Sequence, residues 1–360
     1  MLNLKFNVQY SSSQQNIMNK DIHYMQRALA LAKLGAGTVS PNPMVGCVIV
    51  HENRIIGEGW HERYGQPHAE VNAVASVKDK SVLNEATAYV TLEPCSHFGK
   101  TPPCADLLVK HQLKRVVICN DDPNPLVAGK GIQKLKDAGI EVETGLLAEV
   151  GREINKRFFT FFEKKRPYII LKWAMSSDGL IAKENYEAVQ ISNALSRRWV
   201  HKMRSEEDAI MVGTNTAQYD NPSLTTRFWT GKNPVRVILD KTLRLSPQSR
   251  FFDDESSTLC YNLKETKQEG KHHWIQLSEE KDLLESLIAD LYQRKITSLI
   301  VEGGTTLLNT FLEKGLWDEA HVYQSQTPLG KGIAAPFIQN QVLLNAETIG
   351  DNRRLVYKAP

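Results

Sequence analysis

Apolar positions recur along this chain in two rhythms, and their alternation sets the expected fold class. Met25, Ala28, Leu29 and Ala32 repeat at helical spacing behind Asp21, which predicts a helix capped at 21 and ending near Gly35. Residues 44–50 read as a strand, His51-Glu52-Asn53 as a turn, and the run to Trp60 as a second strand. Further strands are expected at 86–92, 115–119 and 140–143. Helices are expected at 68–77, from Cys104 onward, at 129–138 and up to about Glu163. A hairpin followed by alternating strands and helices predicts a layered α/β domain.

Lys164-Lys165-Arg166-Pro167 is a charged, proline-ended boundary, and a new set of elements follows it. Strands are expected at 168–173, 209–212, 235–240, 298–302 and 319–324. Residues 253–275 are polar and read as surface loops with a short strand at 258–261. Residues 1–20 are rich in Ser, Gln and Asn and lack the apolar core of a signal segment, so a disordered extension is expected there. The chain of 360 residues exceeds the size at which one core keeps growing. Two domains are therefore predicted, at 21–165 and 166–360.

Composition narrows the function. A net charge of +3 without a long basic run argues against a nucleic-acid partner. Five cysteines are few and odd in number, which argues against a disulfide framework and for a reducing, cytoplasmic setting. No apolar stretch reaches membrane-spanning length, so no membrane partner is expected.

The candidate chemistry lies in His68-Ala69-Glu70, Pro94-Cys95 and Pro103-Cys104. An imidazole and two thiolates make a three-ligand zinc set that leaves the fourth tetrahedral position for water. Glu70 follows the histidine too closely to be a comfortable fourth ligand, yet it can reach the water. That is the layout of a zinc hydrolytic deaminase, with the glutamate moving protons. The segment Ser96 to Pro103 between the thiols carries His97 and Lys100, both suited to an anionic substrate group. In the second half, Ser298-Leu299-Ile300-Val301-Glu302-Gly303-Gly304-Thr305-Thr306 reads strand, paired glycines, helix, a junction that can admit a pyrophosphate. No G-x-G-x-x-G occurs, which argues against the usual dinucleotide fold.

Together with Pro41-Asn42-Pro43-Met44-Val45-Gly46, Leu92-Glu93-Pro94-Cys95-Ser96-His97 and Asp122-Pro123-Asn124-Pro125, these motifs resemble the bifunctional deaminase/reductase family of riboflavin biosynthesis. The resemblance runs from about Asp21 to the C-terminus. It implies a cytidine-deaminase-like α/β/α layered domain followed by a dihydrofolate-reductase-like α/β domain. Zinc would serve the first and NADPH the second. The implied substrate is a phosphorylated pyrimidine, first deaminated and then reduced from ribosyl to ribityl. Apart from the resemblance, a homo-oligomer is expected.

Residue by residue, the resemblance implies metal ligands His68, Cys95 and Cys104, and Glu70 as proton carrier. Asn42, His97, Lys100, Asp122 and Asn124 would hold the first substrate. In the second half, Lys172, Asp220 and Glu302 are the groups placed for chemistry. Arg204, Leu224, Arg227 and Glu302 would hold substrate. Ala174, Gln190, Thr216, Asp220, Gly303, Gly304, Thr305 and Thr306 would meet the cofactor. Apart from the resemblance, Lys241, just past the strand at 235–240, or Arg244 is placed to meet the cofactor's 2′-phosphate. Two positions depart from the family pattern. Gln190 stands where a tryptophan is usual, and Asn221 where a second aspartate is usual.

Two other readings compete. An RNA-acting deaminase would favour Cys-x-x-Cys spacing and a basic or aromatic surface, neither of which is seen. A structural zinc protein would normally offer four protein ligands and leave Glu70 without purpose.

Overall fold

The computed structural model describes residues 12–98, 102–184, 187 and 189–360. The chain forms two compact units that divide between Phe162 and Glu163. This is three residues earlier than the charged boundary suggests. Within the second unit Lys164 and Arg166 pair with Asp318, at 3.1 and 2.6 Å.

In the first unit the order is α1 (Ser12–Ala32), β1 (Gly46–His51), β2 (Arg54–Trp60), α2 (Ala69–Ser76), β3 (Thr87–Val90) and α3 (Cys104–Lys110). Then come β4 (Arg115–Ile118), α4 (Lys130–Asp137), β5 (Glu141–Thr144), α5 (Ala148–Ile154) and α6 (Lys156–Lys164), whose last two residues fall in the second unit. The sheet order is β2-β1-β3-β4-β5, antiparallel around β1 and parallel from β3 onward. Strand parity makes the layers. Cys47, Ile49, Ala88, Val90, Val116 and Ile118 face a core shared with α2, α3 and α4. Val48, Val50, Tyr89, Val117 and Cys119 face the opposite core under α1.

Three sequence expectations need correction here. The first described helix begins at Ser12, so 12–20 is not a disordered extension, and the rest of that expectation, 1–11, lies outside the described residues. No proline or glycine interrupts it, and a helix nucleated on the stripe from Tyr24 propagates backward. Asp21 is therefore no cap. It is buried, accepts from Tyr89 Oη at 2.5 Å and pairs with Arg115 at 2.7 Å. The expected single helix to Glu163 is two helices, broken at Asn155. The buried Asn155 amide accepts from the Met44 N–H at 2.8 Å and donates to the Met44 carbonyl at 2.9 Å. This fixes the chain just after Asn42.

The second unit runs β6 (Tyr168–Met175), β7 (Leu180–Ala182), α7 (Ala194–Glu206), β8 (Ala209–Gly213), α8 (Thr214–Asp220) and β9 (Val235–Leu239). It continues with β10 (Thr258–Asn262), β11 (Lys267–Glu269), β12 (His272–Gln276), α9 (Leu283–Gln293), β13 (Ser298–Glu302) and α10 (Thr305–Glu313). It ends with β14 (Glu319–Ser325), β15 (Ile333–Ala334), β16 (Val342–Ile349) and β17 (Asn352–Lys358). The main sheet has the order β11-β12-β10-β9-β8-β13-β6-β14-β17-β16, and β15 pairs with β7. Residues 253–275, expected to be mostly loop, carry β10, β11 and part of β12. β11 is an exposed edge strand, and its polar, edge-protecting residues disguise it.

Ile169, Leu171, Trp173, Leu299 and Val301 point to the core under α9 and α10. Their neighbours Tyr168, Ile170 and Ile300 point to the α7 side. The same parity sends Lys172, Ala174 and Glu302 to the α7 side, with Lys172 and Glu302 paired in register across β6 and β13.

Asn155→Ala should lower the stability of the first unit measurably, since it strands two Met44 backbone groups. The expected cost is about 1–3 kcal/mol per stranded group, read by thermal or urea unfolding.

Candidate active sites of the two units

In the first unit three elements deliver the donors. His68 is the residue before α2, Cys95 lies on the turn that leaves β3, and Cys104 opens α3. α2 can lie against β2 because of Gly59. A Cβ there would come within 2.4 Å of the Ala73 nitrogen.

The donor atoms converge. Nδ1 of His68 stands 3.6 Å from Cys95 Sγ and 3.4 Å from Cys104 Sγ, and all three ligand atoms lie within 4.8 Å of one another. Zn–S bonds of about 2.3 Å and Zn–N bonds of about 2.05 Å at tetrahedral angles require S···N edges of about 3.6 Å. The spacing therefore fits one tetrahedral ion. It is the one such His, Cys, Asp or Glu cluster found among the described residues.

The electrostatics suit thiolate ligation. The Cys95 thiol is pushed down to about 4, chiefly by hydrogen bonding from Cys104 and also by His68 and the Cys104 amide, against the effect of burial. Cys104 is raised by its hydrogen bond to Cys95 and by burial. Glu70 is buried and pushed up to about 7 by desolvation and the Cys95 charge. A carboxyl poised there can both take and give a proton near neutral pH.

Asn42 meets His61, a residue that sequence reasoning missed. His61 is buried, and its Nδ1 faces the Pro67 carbonyl at 3.1 Å. A carbonyl only accepts, so Nδ1 carries the hydrogen. Burial lowers the His61 pKa, and its Nε2 is left to accept from Asn42 Nδ2 at 3.2 Å. The Asn42 carbonyl oxygen has no such partner among the described residues. His61 also packs edge-on to His68, with ring centroids 5.3 Å apart. No motif spacing marked it.

Asp122 is buried and pushed up to about 7, mainly by desolvation, and accepts from the Asn124 N–H at 2.8 Å. His97 is exposed on the segment between the thiols. Lys100 lies outside the described residues.

In the second unit a cleft of about 600 Å³, ample for a drug-sized ligand, opens over β6 and β13. It is lined by Lys172, Ala174, Gln190, Arg204, Thr216, Asp220, Leu224, Glu302 and Gly303 to Thr306. Arg227 and Lys241 do not line it. Arg227 is nearby, taking its place through a backbone N–H donated to His201 Nδ1 at 3.0 Å. His201, a second residue that sequence reading missed, is pushed down to about 4 by burial and the charges of Arg204 and Arg227, and so stays neutral. Lys241 is exposed past β9. Arg244 instead reaches Asn215, which does line the cleft.

Glu302 sits at the floor between two cations. Arg204 grips it with two hydrogen bonds of 3.1 and 2.8 Å, and Lys172 Nζ is 3.9 Å away. Burial opposes its ionisation, but Arg204 and Lys172 outweigh burial and hold it down to about 2. Lys172 is lowered by burial, with Glu302 opposing. Gly303 and Gly304 have φ of 79° and 78°, a region that favours glycine, and both approach Thr216. Gln190 accepts from Arg197 Nη1 at 3.1 Å at the cleft's rim.

Family comparisons agree with this layout. The family model "cytidine and deoxycytidylate deaminase zinc-binding region" matches residues 18–120, and "RibD C-terminal domain" matches residues 167–351. The riboflavin biosynthesis protein RibD of Aquifex aeolicus is 42% identical over 319 residues, covering 87% of this chain and 89% of that relative. The Escherichia coli protein of the same name is 39% identical over 329 residues, 86% of this chain and 89% of its own length.

The chain belongs to the bifunctional RibD family of riboflavin biosynthesis. A solved structure from Thermotoga maritima, a diaminohydroxyphosphoribosylaminopyrimidine deaminase/5-amino-6-(5-phosphoribosylamino)uracil reductase, superposes with a TM-score of 0.87 at 37% identity. It covers 96% of this chain and 100% of that one. Like other RibD chains, this one is an enzyme with a zinc-binding deaminase region followed by a reductase domain. Among the described residues no helix is long and apolar enough to cross a membrane.

The Glu302 arrangement has a pH signature. Its folded pKa lies below the ordinary carboxylate value of 4.5, so its contribution to stability is present above pH 4.5 and is lost as pH falls toward 2. Glu302→Gln should flatten that loss, and at pH 7 should destabilise the second unit by about 3–5 kcal/mol by leaving two cations unpaired. Thermal unfolding of both proteins between pH 2.5 and 7 checks both points.

Proposed function

We propose that the first unit deaminates 2,5-diamino-6-ribosylamino-4(3H)-pyrimidinone 5′-phosphate and that the second reduces the ribosyl group of the product to ribityl with NADPH. The observation that carries the first half is the convergence of His68, Cys95 and Cys104 at zinc spacing beside the buried Glu70. The cleft over Lys172, Glu302 and the paired glycines carries the second.

His68, Cys95 and Cys104 would hold one zinc ion per chain, which supplies a water made acidic enough to react at neutral pH. Glu70 takes the proton this water gives up and returns it to the departing ammonia. Asn42, fixed by His61, presents its carbonyl oxygen to the pyrimidine. Asp122 and Asn124 add hydrogen bonds, and His97 with Lys100 meets the phosphate.

In the reductase, Gly303 to Thr306, Thr216, Ala174 and Asp220 would seat NADPH, which supplies hydride. Arg204, Leu224 and Arg227 would hold the substrate and its phosphate. Glu302 keeps Lys172 and Arg204 in place. Lys172, its ammonium weakened by burial, is placed to move a proton as the sugar ring opens. Arg244, held at Asn215 beside the cleft, is better placed than Lys241 to meet the cofactor's 2′-phosphate. Gln190, tied to Arg197, offers polar contact where an aromatic ring would stack. The chain acts in the cytoplasm as a homo-oligomer.

Glu70→Gln should keep zinc and fold yet lose at least ~10²-fold in ammonia release, because an amide cannot shuttle the proton. Reduction of pre-deaminated substrate should continue. Full deamination by this variant would remove Glu70 from the mechanism. For the cofactor, Arg244→Ala should raise the KM for NADPH about tenfold with little change for NADH, as expected on losing one charge-assisted contact. Lys241→Ala should change neither, and the reverse pattern would return the role to Lys241.

A further inference from the structure

Glu93 has no assigned role, yet its carboxylate is among the most heavily hydrogen-bonded side chains of the first unit. It is 3% exposed and lies two residues before Cys95. Oε1 accepts from the N–H groups of Gly131 and Ile132 at 2.9 and 3.2 Å. Oε2 accepts from those of Gly129 and Asp122 at 2.9 and 3.3 Å. Gly129, Gly131 and Ile132 belong to the start of α4, whose first N–H groups have no partner within the helix. A side chain from another element therefore caps α4, and a negative charge at that end is favoured by the helix dipole.

The fit is close. A Cβ on Gly131 would come within 2.0 Å of the Pro94 carbonyl oxygen, so only glycine lets α4 reach the turn that bears Cys95. The Glu93 N–H also donates to the Asn120 carbonyl at 2.9 Å. The carboxylate thus bolts the Pro94-Cys95 turn to the segment 120–132, which holds Asp122 and Asn124.

We infer that Glu93 is a positioning residue for deamination: its carboxylate fixes the Cys95 thiolate relative to the Asp122–Asn124 substrate loop. The inference rests on the zinc and substrate reading above. Neutral Gln keeps one acceptor oxygen but turns an NH2 group toward two N–H donors, so two of the four bonds fail and donors oppose donors.

The test compares full-length wild type with Glu93→Gln, using unchanged reductase turnover as a control that the rest of the chain is intact. Three readouts apply: the rate of zinc transfer to a chelator, the thiolate-to-cobalt bands of the Co(II)-substituted protein, and deaminase KM against kcat. Zinc should leave at least ~10-fold faster, the cobalt bands should shift, and KM should rise about tenfold with kcat falling less. Zinc release and KM both within about twofold of wild type would overturn the inference. A wild type that binds zinc but releases no ammonia would instead overturn the substrate reading.

Should the variant's first unit fail to fold, hydrogen exchange on the wild-type protein decides the question. Removing zinc should speed exchange in the peptide containing Gly129 to Ile132, because loosening the Cys95 turn loosens the cap. Unchanged exchange there would overturn the inference.

Discussion

The first unit is organised around a spacing, that of two sulfurs and one ring nitrogen at the corners of a tetrahedron. His68, Cys95 and Cys104 come from three different junctions of the sheet and its helices, and the two sulfurs stand 3.6 and 3.4 Å from the shared nitrogen. Two thiols and an imidazole this close form a charged, polar cluster in which Cys95 is held low by its neighbours and Cys104 is raised. Much of the surrounding packing keeps the corners in place. Gly59 lets α2 lie against β2, and Asn155 pins the backbone beside Asn42.

The second unit uses a different device for a comparable end. Strand parity places Lys172 and Glu302 side by side on one face of β6 and β13, and α7 brings Arg204 over them. One buried carboxylate shared by two cations keeps its charge and fixes both partners. The paired glycines then turn the chain into α10 beside Thr216. Glu302 and the glycines that line the cleft beside Thr216 are thus consecutive residues of one strand–helix junction.

Much of this was legible in the sequence, for definable reasons. The ligand set and Glu70 stand in compact motifs, and the alternation of strands and helices gives the layered α/β class, whereas Lys172 and Glu302 are reached through the family resemblance and their pairing only through the structure. Residues that act through others were not legible. His61 and His201 matter because of the carbonyl or amide they face, and no spacing encodes that. Of the two cations that follow the strand at 235–240, Lys241 and Arg244, sequence alone does not choose, and it is Arg244 that reaches the cleft wall. Edge strand β11 was hidden by its polar residues, and α1 ran beyond its apolar stripe because nothing in 12–20 stops a helix.

Deamination by the first unit depends on what occupies the three-cornered site. A zinc-edge anomalous difference map from crystals of the freshly purified protein measures this directly. One peak per chain is predicted, within bonding distance of His68 Nδ1, Cys95 Sγ and Cys104 Sγ, with a water as the fourth ligand beside Glu70. No peak at that position, or a fourth protein ligand in place of water, would contradict it.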